Sequence, residues 1–546
     1  MGSRYFIAGN REVSPMETTY GGAYEKDRVE LLGRRRIYTD VREINHDNII
    51  SVLQDALVIH EENRTQIAFL LNYEKGLQPL KRRKTIRPDI DVCVVDNVAN
   101  QVTEFWLGYA FGNPKSLVQR GDRDLSSSDP DSDDDAITLL NQMNEDEQAF
   151  RKDQEMARYL EICGIGYQMV DIKRDFVEGG SAFDLYSPNP LYSFIVHRNN
   201  IRETPMMSVT YRQLENGSRY FTCITADTWY EIKNEIEIID GKKTETWEEG
   251  SRSGEANPLG KVPMVEFIRA FDRMGCFERQ IPDMDALNIE VSDFANSVAQ
   301  NTQEIWWMND AEFPVDPNTG KKVKPVSGQW MQTKTTPNGN RPMIQALSST
   351  FDYSGVQENI ISKRNTILQK CYVPLQSDPG GGSTGTAMSM SAGWSAAEAV
   401  AAKQEDIIRG SVMDIVELEL LAIQKSGKFP KDHILMDLKK SDIQPKFTRQ
   451  KTFDLGTKTN SFVTMVKAGI NGRIAMQVVD LFPDIAQAWA DSKDTIEKFQ
   501  KSLFERQTTS DGTRRIMSDT TDQTTNSPLL DGMRMNANYS EGGEGR

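Results

Sequence analysis

Apolar residues recur at helical spacing in several long stretches of the chain and at strand spacing in one block between them. From Asn48 to Leu71, the positions Ile50, Leu53, Leu57, Ile59, Ile67 and Leu70 predict a helix interrupted near the polar run Glu61–Thr65. Val92–Phe111 is strongly apolar, with Val95, Val98, Val102, Phe105, Trp106 and Tyr109 at helical spacing, and Gly112 and Pro114 supply its stop. Ile137–Cys163 predicts a further helix that breaks at Gly164 and Gly166. Between Tyr167 and Phe267 the pattern changes to short β-type runs (YQMVDI, SFIVHR, MSVTYRQL, YFTCIT, TWYEI and VPMVEFI) separated by turn residues. The chain is therefore of mixed α+β class.

The order of elements after residue 282 is the most telling. Asp283 caps a predicted helix that runs to Trp307, with Leu287, Val291, Phe294 and Val298 on one stripe. At 1.5 Å per residue it is a rod of about 37 Å. Asn309–Phe351 is rich in Pro, Gly, Lys and Thr and suits short strands and hairpins. Tyr353–Cys371, carrying Val356, Ile360, Ile367 and Leu368, predicts a returning helix that Pro374 ends. A glycine-rich loop, Gln376–Thr386 (QSDPGGGSTGT), leads into an alanine-rich helix from Ala387 to Lys425, in which Gly393 and Gly410 are places to bend. Residues 460–505 form a further helical set. The arm 1–45 lacks periodicity, and the tail beyond Arg506 has almost no apolar residues and reads as disordered.

Composition and charge narrow the chemistry. The length of 546 residues suggests three or four structural units, and 38% hydrophobic residues suffice for real cores. There are 80 acidic against 64 basic residues, a net charge of −16. Tight phosphate binding draws on counterion release and a basic excess. The acidic balance argues against a conventional DNA-binding protein, but not against a surface past which DNA slides. A basic run, Lys81 to Lys84 with Arg87, precedes Pro88. No stretch approaches the roughly 20 apolar residues of a membrane span, and MGSRYFIAGNREVSP lacks a signal peptide's apolar core, so a cytoplasmic origin and no membrane are expected.

Signals for catalysis fail one by one. The cysteines (Cys93, Cys163, Cys223, Cys276, Cys371) are widely scattered without a CxxC pair, as buried reduced thiols would be. The acidic run Asp129–Asp135 has Asp134 where a calcium loop needs glycine and Leu140 where it needs glutamate. Gly380–Thr386 has no following lysine and Ser426–Lys428 no preceding glycine pattern, so neither is a phosphate-binding loop. His46, His60, His197 and His433 lie far apart, without metalloprotease spacing. No enzyme activity, cofactor or metal is expected.

The segments Asn72–Pro79 (NYEKGLQP), Asp96–Pro114 (DNVANQVTEFWLGYAFGNP) and ICGIGYQMV, followed by Asn257–Phe267 (NPLGKVPMVEF), occur in the order seen in one family. VPLQSDPGGGSTGTAMSM follows, with Thr384–Gly385 and Ala387 standing for a serine–glycine–x–alanine pattern, and then Gly469, Ile474 and Leu481–Pro483. Together these resemble the portal proteins of tailed bacteriophages over residues 46–506. The resemblance implies a portal fold. Its parts are an N-terminal arm (1–45), a wing (46–282), a first stem helix (283–307), a clip (308–351), a second stem helix (352–372), a tunnel loop (373–386), a long kinked helix returning to the wing (387–456), a helical crown (457–506) and a flexible tail (507–546).

By the same resemblance, the chain assembles as a homo-oligomeric ring, typically of twelve, at one capsid vertex of the virion. Double-stranded DNA passes through it in packaging and ejection without sequence specificity. The terminase large subunit docks first and head–tail adaptors later, with major capsid and scaffolding proteins around the ring. The expected channel residues are Gln376, Ser377, Asp378, Gly380, Gly381, Gly382, Ser383 and Thr384 of the loop, with Lys363 and Arg364 of the second stem helix. Lys321, Lys322, Lys324 and Trp330 of the clip are the expected docking residues, and Trp306 and Trp307 are expected between subunits. The alternatives are another head–tail connector or minor capsid protein, and, more remotely, a nuclease or packaging ATPase.

Overall fold

The computed structural model describes residues 33–80, 91–120, 135–174, 180–239, 242–301, 352–375, 393–447 and 455–479, with parts of 305–347, residue 449 and scattered positions from 488 to 498. The chain divides into two units, Met1–Phe453 and Asp454–Arg546.

In the first unit, β1 (Ile37–Thr39) and α1 (Ile49–Glu74) belong to a sheet layer built mainly from β5 (Ser193–Arg198), β6 (Pro205–Gln213), β7 (Arg219–Thr225) and β8 (Thr228–Ile239). β9 (Lys242–Glu249) and β10 (Glu255–Ala256) both pair with β8. The strand order is β1-β5-β6-β7-β8-β10, antiparallel throughout except for β1 against β5. Alternation sets the buried face: Met207, Val209 and Tyr211 on β6 meet Phe221 and Cys223 on β7 and Tyr230 and Ile232 on β8. Against them α1 lays Ile49, Val52, Leu53, Ala56 and Leu57, one helical stripe.

Helix α1 runs unbroken through Glu61–Thr65, contrary to the expected interruption. Those polar residues are docking contacts. The Asn63 amide accepts from Arg35 N (2.8 Å) and donates to Arg35 O (2.7 Å), Glu61 pairs with Arg219 (2.6 Å), and the Thr65 hydroxyl bonds Glu61 O (2.8 Å). The residues from 33 to 45, expected as part of an extended or partly ordered arm, are built into the fold, with Ile37–Thr39 as an edge strand and Arg34 buried.

The second layer joins α2 (Val98–Phe111), β2 (Ser116–Gln119), α3 (Ala136–Asp146), α4 (Ala149–Cys163) and the three-stranded sheet β11-β3-β4, formed by β3 (Ile165–Ile172), β4 (Phe183–Tyr186) and β11 (Met264–Ile268). The single helix expected over 137–163 is two, because Gln148 takes a left-handed backbone (φ 54°) between them. The helix expected from Val92 starts at Val98 instead, with Asn97 as its cap, and 91–97 is extended. Helix α5 (Ile281–Asn301) ends before Trp306 and Trp307. These lie on β12 (Ile305–Asn309), which pairs antiparallel with β15 (Met343–Leu347), so the expected helix to Trp307 is corrected. Between them β13 (Ala311–Glu312) pairs with β14 (Lys334–Thr335).

Helix α6 (Tyr353–Lys370) returns, and α7 (Trp394–Lys425) covers β3 and β11. Gly393, at φ +85°, is the N-cap of α7 rather than a bend inside it, and α7 continues through Gly410. The chain then comes back to pair β16 (Ile443–Lys446) with β2. In the second unit, α8 (Leu455–Lys467) ends where Ile470 N reaches Met465 O (3.1 Å) and Gly469 N reaches Val466 O (3.1 Å), with Gly469 at φ +89°. That left-handed glycine cap turns the chain into α9 (Gly472–Val479). No helix among the described residues is long and apolar enough to cross a membrane.

Glu419 on α7 is buried, with Asn144 Nδ2 3.3 Å away as a weak donor. Burial raises its carboxyl from the ordinary 4.5 to about 7, against the smaller pull of Lys115. A raised folded-state value means the contribution to stability is full below about pH 4.5 and is lost as pH rises through about 7. Glu419→Gln, which keeps an acceptor toward Asn144 without the charge, is expected to be more stable than the parent by about 3 kcal/mol at pH 8 and indistinguishable at pH 4. Urea unfolding at the two pH values checks this.

Candidate channel and docking elements

Helices α5 and α6 run antiparallel, about 31 and 27 Å long at 1.5 Å per residue. Their cross-pairs show the register: Lys370 bonds Asp283 (2.5 Å), Lys363 bonds Glu290, and the rings of Phe294 and Tyr353 meet edge-on at 6.1 Å. At the base both helices sink into a core. Ile281, Met284 and Leu287 of α5, with Ile367 and Leu368 of α6, are buried beside Tyr73, Trp106 and Phe277. The Trp106 indole donates to Cys371 O (3.2 Å) and the Tyr73 hydroxyl to Asp285 Oδ1 (2.8 Å). Burial pushes the Cys371 thiol up to about 12, so it stays protonated. Away from the base, most of α6 from Tyr353 to Thr366 is exposed or half-buried.

Along its upper length α5 is held by a strap of extended chain. Asn296 exchanges two hydrogen bonds with Val92 (2.8 and 2.9 Å), Ser292 two with Val94 (2.9 and 3.1 Å), and Asn288 accepts from Asp96 N (2.8 Å). Four helical residues rise about 6 Å, close to the roughly 6.6 Å of two extended ones. Three short polar side chains at i, i+4 and i+8 thus present the donors and acceptors that a neighbouring strand would. The Asn288 amide also donates to Gln78 (2.5 Å), which in turn reaches Asn97 (3.1 Å).

A second fastening comes from the chain's beginning. Arg34 is fully buried, pairs with Glu278 just ahead of α5, and donates to Cys163 O (3.3 Å). Burial raises the Glu278 carboxyl, against the opposing pull of Arg34. Arg36 pairs with Glu203 and, at 3.4 Å, with Glu266. Burial pushes Glu266 up, but Arg273, His197 and Arg36 outweigh it and hold the carboxyl at about 2. The fit is tight. Gly33, at φ +85°, lies so close to the 272 carbonyl that a Cβ would fall 1.9 Å from it.

Lys363 and Arg364, expected on the channel, are both ion-paired within the chain: Lys363 to Glu290, Arg364 to Asp96 (3.0 Å) and Gln101 (2.7 Å). Their side chains remain 44% and 39% exposed. Arg364 therefore also clasps the strap. The expected loop residues Gln376, Ser377, Asp378, Gly380, Gly381, Gly382, Ser383 and Thr384 lie outside the described residues, as do Lys321, Lys322, Lys324 and Trp330. The same holds for the basic run 81–84 and most of the acidic run from 129 to 135. The strap ladder and the buried Arg34 were missed in the sequence. Asn288, Ser292 and Asn296 do form a polar stripe at helical spacing, but an apolar stripe on the same helix drew the reading.

The arrangement is that of a structural scaffold, a helix pair fastened at one end and carrying short hairpins at the other. Over residues 56–498 the chain matches the family described as "Phage portal protein, SPP1 Gp6-like". It belongs to this phage portal protein family and is a structural component of the virion. Among solved structures, a chain from "Virion of native gene transfer agent (GTA) particle" is similar over 76% of this chain and 100% of that one, at 10% identity and a TM-score of 0.36. No curated protein matches.

Replacing Ser292 by valine strips Val94 of partners for both its N–H and its C=O. The expected cost is about 1–3 kcal/mol in urea unfolding, with faster hydrogen exchange at amides 92, 94 and 96. Ser297→Val removes only a bond to Asp293 O of the same helix and is expected to change stability by less than about 0.5 kcal/mol. Unchanged exchange at residue 94 in the Ser292 variant would show that the ladder does not hold the strap.

Proposed function

We propose that this portal protein forms a ring at one vertex of the phage head, with α5 and α6 of each copy standing around an axial channel for double-stranded DNA. The observation that carries this reading is the anchored helix pair. Its base is buried in its own protomer, while the outer part of α6 is left uncovered and available to neighbours. Rods fastened at one end and packed side by side make a wall. Duplex DNA has a persistence length of about 150 base pairs, so it needs a straight passage rather than a fitted pocket. A chain of net charge −16 repels phosphates and lets them slide.

In this reading Gln376–Thr386 touches the moving duplex. Its run of glycines tolerates the several backbone conformations that such contact demands. The tip between α5 and α6 presents Lys321, Lys322, Lys324 and Trp330 first to the terminase large subunit and then to head–tail adaptors. The second unit faces packaged DNA inside the head. The protein works as a passage and a platform, and the motor that drives packaging hydrolyses the nucleotide.

Purified protein is expected to sediment and scatter light as a ring of about twelve chains, with an axial hole in electron micrographs and no ATP turnover of its own. A stable monomer at micromolar concentration would sink the ring. Deleting Gly380–Gly382 is expected to leave the rings intact and to lower packaged or retained DNA at least tenfold. Normal packaging by that variant would remove the loop from the mechanism.

A further inference from the structure

The stem base carries a feature that the anchored helix pair does not use. A half-open cleft of about 990 Å³ lies among the C-terminal end of α6, the loop 269–280 that leads into α5, and the stretch Val400–Ile407 of α7. On it, Gln404 is 4% exposed and donates its amide to Glu161, while its Oε1 has no hydrogen-bond partner. At the mouth stand two aromatic side chains in water, Phe271 at 80% and Tyr372 at 50% exposure. The cleft's ionisable residues are four cations, Arg269, Arg279, Lys370 and Lys403, and one carboxylate, Asp272. Three of the cations have carboxylate partners, Glu161, Asp272 and Asp283, whereas Lys403 has no ion-pair partner among the described residues.

We propose that this cleft is the socket for an adjacent copy of the same chain, which inserts a short acidic projection; the proposal rests on the ring reading above. Exposed aromatics around a concave site are the anatomy of a protein interface. Its size selects the occupant. About 990 Å³ takes a few side chains, whereas a DNA duplex, with a major groove alone about 12 Å wide, does not enter. Its sign selects the occupant further. The chain has 80 acidic against 64 basic residues, so another copy offers the opposite charge to Lys403. A ring requires a heterologous contact, in which a hollow on one face of each copy takes a projection from a different face of the next. The cleft lies where α5 and α6 enter the body of the protomer.

The test uses the full chain with a photo-crosslinking benzophenone side chain at position 271. Irradiated rings are expected to give chain–chain adducts, with the far end mapped by mass spectrometry to an acid-rich surface segment. The double variant Phe271→Asp/Lys403→Glu is expected to lower ring yield at least tenfold while the monomer keeps its circular dichroism. Rings that form normally yet give no adduct at position 271, or adducts to DNA alone, overturn the socket and leave the ring standing. Parent protein that never forms rings overturns the ring reading itself.

Discussion

The bases of α5 and α6 are buried while the outer length of α6 is not, and the rest of the architecture follows from holding that asymmetry. Ile281, Met284 and Leu287 reach a core shared with Tyr73, Trp106 and Phe277, and Ile367 and Leu368 reach it from the returning helix. Each such side chain contributes about 1.5–3 kcal/mol of burial. A helix pair standing free in water would have no comparable source of stability, since isolated helices of this length are marginal. The body of the protomer, with its two sheets and long covering helix, serves as the footing. Between the two helices, β12 pairs with β15 and β13 with β14.

Two fastenings stiffen the footing by different physics. The strap at Val92, Val94 and Asp96 uses hydrogen bonds that an apolar contact could not replace, because it would leave these backbone groups unpaired. What it adds is register. Three side chains at fixed spacing accept one alignment of the extended chain, and a slip by one residue would turn N–H and C=O groups away from them. The Arg34–Glu278 pair is costly in another way, because both charges are removed from water and are worth having only together. Geometry, more than stability, is what such pairs secure in this chain.

Much of this was legible in the residue pattern, and the failures are instructive. The β-type runs between Tyr167 and Phe267 are strands, and the helix–hairpin–helix order after residue 282 is as expected. The errors fall where local propensity and tertiary contact disagree. Glu61–Thr65 looked like a break because its residues are polar, yet they are polar to meet Arg35 and Arg219. Val92–Asn97 looked helical because it is apolar, yet its backbone is bound to α5. Trp306 and Trp307 continued a helical pattern but belong to a strand, a choice made by the partner β15 about forty residues on. Lys363 and Arg364 were visible as charges, and their counter-ions Glu290 and Asp96 were not, since neither is near in sequence.

Arg34 and Glu278 are separated by 244 residues, and neither charge has another full partner in that slot. During synthesis the arginine emerges first and stays solvated, because the acid that would draw it inward does not yet exist. The N-terminal strand likewise waits for β5, which begins only at Ser193. Arg34 and β1 therefore cannot reach their native contacts until Glu278 and β5 have been made. A product cut short before residue 278 keeps an open, charged slot beside an unformed stem base. Completeness of the chain is in this way written into whether Arg34 and β1 are tucked in or left outside.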